Sequence, residues 1–326
     1  MNMKDIAAHL GISVATVSRA INGSENINLE TKERILAFVE KKGYTPNVIA
    51  RNLSKMENNT IALLVPNISN PFFASLINNI CANFAKSDYQ IALYNTSEDI
   101  ELEKKAIKNI IGQRIAGVIA ILINGKYEEN PLLPLINYNI PVFLLDRDIR
   151  DYTLPGVFLD NYIGAYKVVT ELLKRGHKDI AIITGDLSSL TAEERLKGYI
   201  KAHEDMNIPY SKANIYEGNF LLESGYEAGK KILNSSATAV FASNNLMLLG
   251  FLKTMKVIGK EIELSCFEEI EYLQVLGINV ICCKIPLDVM GEKTYSLFFT
   301  DKSKRKKIYI EPILIKNRKE FWWRKL

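Results

Sequence analysis

The chain has 326 residues, 48% of them hydrophobic and 24% charged, which exceeds one ordinary core and predicts two or three globular domains rather than a disordered chain. No apolar run reaches the ~20 residues that cross a bilayer, and Met1-Asn2-Met3-Lys4-Asp5 has no apolar segment behind a basic start, so neither a membrane anchor nor an export signal is expected and the protein is placed in the cytoplasm. Net charge is +4, yet residues 302–326 alone hold ten Lys/Arg against two Glu, read as a solvated edge strand and tail, whereas eight Lys/Arg and six Asp/Glu in the first 60 residues are too balanced to nominate a nucleic-acid domain by charge.

Met3, Ile6, Ala7 and Leu10 recur at helical spacing. Gly11 follows at once, where a helix ends in the left-handed conformation that glycine adopts at least cost. Ser13 is placed to cap a second helix that runs to about Asn22 with Val17, Ala20 and Ile21 facing inward, and Asn22-Gly23 reads as a turn. Asn28 or Thr31 opens a third helix through Ile35, Phe38 and Val39, ending at Gly43. Two helices joined by a tight glycine-containing turn, with a third against them, form a helix-turn-helix unit whose second helix enters a DNA major groove. Spacing alone leaves a small helical bundle without a DNA role equally open.

From residue 60 the pattern changes. Short apolar runs (Ile61 to Val65, Ile91 to Tyr94, Gly117 to Ile123, Val142 to Leu145, Val157 to Leu159, Ile180 to Ile183, Ala239 to Ala242) alternate with amphipathic stretches beginning near Phe72, Glu101, Thr191 and Asn244, and with one ending at Arg175. Continuous apolar strands separated by helices mean parallel sheets buried on both faces. The strands are too many for one compact sheet, so two Rossmann-like lobes are expected, with a ligand cleft at the carboxyl ends of the strands. The expected division is 1–45, a three-helix DNA-binding domain; 46–59, a hinge segment and linker; and 60–326, an effector-binding and dimerisation domain whose chain crosses between two lobes. The apolar run from Ile308 to Ile315 should pack despite its basic surroundings.

Cys81, Cys266, Cys282 and Cys283 form no CxxC pair, and the adjacent Cys282 and Cys283 are poorly placed to bond to each other, so buried reduced thiols are expected. His9, His177 and His203 lie far apart, and no phosphate loop, GxGxxG, GxSxG or HExxH motif occurs. Neither an enzyme nor a cofactor or metal site is expected.

Several segments together resemble the lactose/galactose repressor family of bacterial regulators. They are Lys4-Asp-Ile-Ala-Ala-His-Leu-Gly-Ile-Ser-Val-Ala-Thr-Val-Ser-Arg-Ala-Ile-Asn22, Thr45-Pro-Asn-Val-Ile-Ala-Arg-Asn-Leu-Ser54, Asn70-Pro-Phe-Phe-Ala74, Leu145-Asp-Arg-Asp148, Asp160-Asn161 with Gly164, Arg175-Gly-His-Lys-Asp-Ile180 and Glu194-Arg-Leu-Lys-Gly-Tyr199. The resemblance runs from residue 3 to about residue 250 and loosens beyond. It implies an α/β effector domain of periplasmic-binding-protein type behind a helix-turn-helix head, and a homodimer that binds a pseudo-palindromic operator.

By that resemblance, Val14, Ala15 and Arg19 face base edges. Arg19 can give a guanine two hydrogen bonds, and Val14 and Ala15 offer apolar contact only. Thr16 and Ser18 suit phosphate contacts, which fix register. Asn47, Ala50 and Leu53 belong to the family's hinge, a segment shorter than the ~12–15 residues an isolated helix needs. It is expected to become helical on DNA, with Leu53 as a minor-groove wedge. The implied effector pocket comprises Phe72 and Phe73 as an aromatic wall, Arg147, Ser189, Thr191, Arg195, Phe220, Asn245 and Glu268, suited to a sugar or sugar derivative. Two departures affect ligand identity: Asn244-Asn245 stands where the family has an aspartate, and Glu268 replaces another aspartate with a longer acid. A regulator whose diverged pocket answers to a nucleoside or a protein partner is the alternative.

Overall fold

The computed structural model describes residues 1–21, 26–44, 59–113, 115–124, 127, 129–150 and 152–316. The Asn22-Gly23 turn, the hinge residues Asn47, Ala50 and Leu53, and residues 321–324 lie outside them. The chain divides into two compact units, Met1–Asn58 and Asn59–Leu326.

The first unit holds α1 (Met3–Leu10), α2 (Val14–Ile21) and α3 (Leu29–Lys41). Local chemistry sets each boundary. Asn2 and Asp5 cap α1 reciprocally, with Asp5 N–H donating to Asn2 Oδ1 at 3.1 Å and Asn2 N–H to Asp5 Oδ2 at 2.7 Å. Gly11 closes α1 at φ 65°. Ser13 Oγ accepts the Thr16 N–H at 3.1 Å, the expected cap of α2. Asn28, not Thr31, caps α3, because its carboxamide oxygen accepts the N–H groups of both Glu30 and Thr31. The helices meet over Ile6, Ala7, Val17, Ala20 and Ile35, all buried. His9 stacks on Phe38 with ring centroids 4.7 Å apart.

The second unit contains two six-stranded sheets. The first lobe is built from β1 (Thr60–Val65), β2 (Gln90–Asn95), β3 (Gly117–Ala120), β4 (Val142–Asp146), β5 (Gly156–Leu159) and β11 (Lys307–Ile310). The second uses β6 (Ile180–Thr184), β7 (Ile215–Glu217), β8 (Ala239–Ala242), β9 (Glu263–Glu268), β10 (Ile281–Lys284) and β12 (Ile313–Ile315). Sheet orders are β11-β5-β4-β3-β1-β2 and β12-β10-β9-β8-β6-β7. All pairings are parallel except β10 with β12. The central strands β1, β3, β4, β6 and β8 are almost wholly buried, as their continuous apolar runs require. The apolar run at 117–123 is only partly strand. It leaves the sheet after Ala120, and the Ile123 N–H goes instead to Glu103 Oε2 at 2.9 Å.

Helices α4 (Pro71–Phe84), α5 (Ile100–Gly112), α6 (Leu133–Asn137) and α12 (Leu287–Phe298) belong to the first lobe. The second carries α7 (Asn161–Lys174), α8 (Leu190–Asp205), α9 (Leu222–Leu233), α10 (Asn245–Ile258) and α11 (Glu271–Val275). The chain therefore passes between lobes at residue 160, at 285–286 and at 311–312. The first and third passages are tied together, the Asp160 N–H donating to the Ile310 carbonyl at 2.9 Å. The two strands drawn from the basic C-terminal region, β11 and β12, occupy one edge of each sheet.

Candidate functional site

In the first unit, α2 turns Val17 and Ala20 into the core, which leaves the opposite stripe free. Val14 is 42% exposed, and Ala15 and Arg19 are exposed beside it. No described residue forms an ion pair with Arg19. Thr16 is half-buried with its Oγ1 2.8 Å from Ser13 Oγ, so its hydroxyl is engaged in the cap. Ser18 is half-buried. One arginine with five donors on an exposed helix stripe beside two small apolar side chains can read a base edge and pack on a thymine methyl.

In the second unit, a small cavity of about 30 Å³ lies between the lobes. Phe72, Phe73, Arg147, Thr191, Arg195, Phe220 and Glu268 line it, together with Asn67, Asn70, Glu98, Asn124, Asp146, Leu221, Asn244 and Leu246. Seven of the nine residues expected at an effector pocket thus converge. Ser189 lies just outside as the cap of α8, its Oγ accepting the Ala192 N–H at 3.3 Å. Asn245 is also outside; its Nδ2 donates to Asn70 Oδ1 at 3.1 Å and joins the lobes directly.

Arg195 is the floor's central cation. Its position on α8 beside Glu193 and Glu194 is compatible with a surface ion pair, but the side chain turns inward and is 3% exposed. Its Nε donates to Asn161 Oδ1 at 2.9 Å and its Nη1 to the Ser243 carbonyl, and the guanidinium lies 3.6 Å from the Phe267 ring centroid. Glu268 Oε1 is 4.0 Å from Nη1. Glu268 Oε2 is buried without a hydrogen-bond partner. Burial pushes the Glu268 carboxyl up to about 7, with Arg195 opposing and Asp146 reinforcing the rise. Burial likewise raises Asp146 and lowers Arg195, whose charge Glu268 and Asp146 help to retain. The floor thus holds one buried cation among acids that burial drives toward the neutral form.

Arg147 pairs with neither adjacent aspartate. Its Nη2 reaches Glu98 Oε1 at 3.1 Å, its Nη1 donates to the Leu122 carbonyl at 2.7 Å, and the guanidinium sits 5.2 Å from the Phe73 ring. Asp148 goes to Lys307 instead, at 2.6 Å. Glu98 was invisible to the sequence reading; it stands 49 positions from its partner. Its φ of 56° is one of three positive values at the cavity in non-glycine residues, with Asp146 at 64° and Phe220 at 65°. Such conformations cost roughly 1–3 kcal/mol each and concentrate where geometry is held for a ligand. Phe220 is seated because Gly185 has no side chain; a Cβ there would fall 1.9 Å from the Phe220 ring.

The described residues contain no cluster of His, Cys, Asp and Glu able to hold a metal ion. Cys266, Cys282 and Cys283 are buried and free, and Cys81 is half-buried and free. Burial pushes the Cys282 and Cys283 thiols up to about 12, away from the reactive thiolate.

Comparison with known proteins matches residues 58–281 to the family described as periplasmic binding proteins and sugar binding domain of LacI family, and residues 2–47 to bacterial regulatory proteins, lacI family. The chain is 31% identical over 251 residues to catabolite control protein A of Priestia megaterium, covering 76% of this chain and 75% of that one. It is 29% identical over 321 residues to the HTH-type transcriptional regulator DegA of Bacillus subtilis, covering 95% of each. The fold superposes on a crystal structure of the Lac repressor dimer bound to operator with a TM-score of 0.82 at 21% identity, over 97% of this chain and 98% of that one.

Proposed function

Because the chain belongs to the LacI family and is a DNA-binding transcriptional regulator of that family, we propose that it is a cytoplasmic repressor that binds a pseudo-palindromic operator as a homodimer and changes its operator affinity when a sugar or sugar derivative occupies the interlobe cavity. One helix-turn-helix unit touches few base pairs, and two related by a twofold axis read a palindrome. The Lac repressor structure is itself a dimer on its operator. Arg19, Val14 and Ala15 are the proposed base-reading residues, with Thr16, Ser18, Asn47, Ala50 and Leu53 as further DNA contacts.

The observation that carries the effector reading is the buried Arg195–Glu268 floor, whose unpartnered carboxylate oxygen faces a shell of planar amides and phenylalanine rings supplied by both lobes. Amides, guanidinium and carboxyl groups pair with vicinal hydroxyls, and aromatic faces cover a sugar's C–H groups. The effector shell is proposed as Phe72, Phe73, Arg147, Ser189, Thr191, Arg195, Phe220, Asn245 and Glu268. Two experiments test the proposal. A thermal-shift screen of sugars, sugar acids and nucleosides, followed by calorimetry on Arg195→Ala, should abolish binding of any hit; retained affinity removes Arg195 from the site. Gel shifts should show preference for a palindromic over a random duplex; no preference defeats the operator reading.

A further inference from the structure

The inner cavity, at about 30 Å³, is the size of one or two water molecules. A second, larger compartment of about 740 Å³ opens directly outward from it, sharing Asn124, Arg147 and Thr191 as common wall. We propose that this outer compartment is a second effector subsite that holds the distal ring of a neutral disaccharide-sized ligand, a reading that rests on the sugar-responsive function proposed above.

Three features of the compartment favour a neutral polyol ring. Two tyrosines, Tyr127 and Tyr152, line it. Tyr127 is pre-positioned: its hydroxyl donates to Glu103 Oε1 at 2.8 Å, and Glu103 is fully buried and also accepts the Ile123 N–H at 2.9 Å. This buried carboxylate has no part in the inner floor; it fixes the outer wall. A tyrosine whose rotamer is already set loses little entropy when a ring packs on it.

Charge in the compartment is balanced. Arg147 and Arg150 face Glu129 and Asp148. Arg147 is bonded to Glu98, Arg150 to Glu193 across the lobes at 2.6 Å, and Asp148 to Lys307. A site for a phosphate or carboxylate would present uncompensated cations; paired guanidiniums and carboxylates instead offer fixed donors and acceptors to hydroxyls. Asn130, 3% exposed on the same wall, has its Nδ2 without a hydrogen-bond partner. The compartment draws on both lobes, since the 188–191 segment at the start of α8 closes it opposite the first lobe. A ligand long enough to span both compartments therefore contacts both lobes twice.

The test is titration calorimetry on the full-length chain with a panel of monosaccharides and the disaccharides composed of them. At least one disaccharide should bind tenfold or more tightly than either of its component sugars. Tyr152→Ala should remove that gain while leaving monosaccharide affinity within twofold, and Arg195→Ala should abolish both. Tyr127→Phe, which keeps the ring but frees it from Glu103, should lose part of the gain. Equal affinity for the two sizes, or a Tyr152→Ala loss shared equally by both, would overturn the second subsite and leave the sugar-responsive function standing. Absence of binding by sugars of either size would overturn the underlying functional reading as well.

Discussion

Replacing Arg195 by methionine keeps most of the side chain's volume and removes its charge and donors. The substitution strands three partners: Asn161 Oδ1, the Ser243 carbonyl and the Glu268 carboxylate. A buried acceptor left unmatched costs about 1–3 kcal/mol, and loss of one partner of a buried ion pair typically costs about 3–5 kcal/mol. These figures do not add, because Glu268 has an escape. Its carboxyl already titrates at about 7, so without the guanidinium it takes up a proton at neutral pH instead of remaining a bare buried charge. The expected net loss is therefore about 3–5 kcal/mol rather than the sum of the parts. Glu268→Gln, which mimics the protonated acid, should change stability by less than about 1 kcal/mol. Urea denaturation of both variants and the double mutant, followed by circular dichroism at pH 7, measures this. An Arg195→Met loss below about 1 kcal/mol, or a Glu268→Gln loss as large as that of Arg195→Met, would refute the electrostatic account of the floor.

The same carboxyl makes stability depend on pH. The folded chain holds the Glu268 proton up to about pH 7 while the unfolded chain releases it near 4.5, so the stability of the wild type relative to Glu268→Gln should fall as pH rises across that window, by at most about 3 kcal/mol; a rise would contradict it. His203 works in the opposite direction: it is 1% exposed, its Nε2 lacks a partner, and burial lowers its pKa from 6.5. Its contribution is present above that value and lost on acidification, so His203→Phe should flatten the acid side of the stability profile, and an unchanged profile would exclude it. Gly250→Ala should lower Tm through a loss of about 1–3 kcal/mol by overpacking, because a Cβ would lie 2.0 Å from the Leu222 carbonyl where α10 packs on α9; an unaltered Tm would show that the two helices separate at no cost. Arg19→Ala should weaken operator binding by about 1–3 kcal/mol and relax one base position, checked by gel-shift competition, where unchanged discrimination would argue against base reading by this side chain.

The first 44 residues were legible because their boundaries are local. Gly11, Ser13 and Asn28 act within four residues of themselves, and the inward positions Val17, Ala20 and Ile35 follow from helical period alone. The central strands were legible for a related reason, since burial on both faces leaves an unbroken apolar run. What escaped depends on pairs far apart in the chain. Glu98 meets Arg147 across 49 positions and Asn70 meets Asn245 across 175, and no spacing rule links them. The run from Ile308 to Ile315 reads as one strand, yet Ile310 closes one sheet and Ile313 opens on the other. Pro312, which cannot donate to a ladder, was the available signal of that break. Strand β9 was masked by Ser265, a polar residue in a core strand whose hydroxyl donates to the Val240 carbonyl at 2.8 Å.

The contacts already present between the lobes set what an effector must do. Asn245 bonds Asn70, Arg150 bonds Glu193, and the charges of Asp146 and Arg195 attract across the cavity. The exposed pair is worth under about 1 kcal/mol, but the buried contacts have no water to fall back on. The passages at residue 160 and at 311–312 are fastened to each other and to α7, where Lys167 Nζ donates to the Pro312 carbonyl at 2.9 Å. Three short passages fastened in this way permit a change in lobe angle more readily than a slide of one lobe past the other. A ligand shifts that angle only by its difference in affinity between the two arrangements, typically about 1–3 kcal/mol of coupling. Binding strength without that difference regulates nothing. The proposed effector therefore acts through groups that bridge lobes, pairing Glu268 on one side while engaging Arg147 or Asn124 on the other, and the length of the ligand matters because it multiplies such bridges.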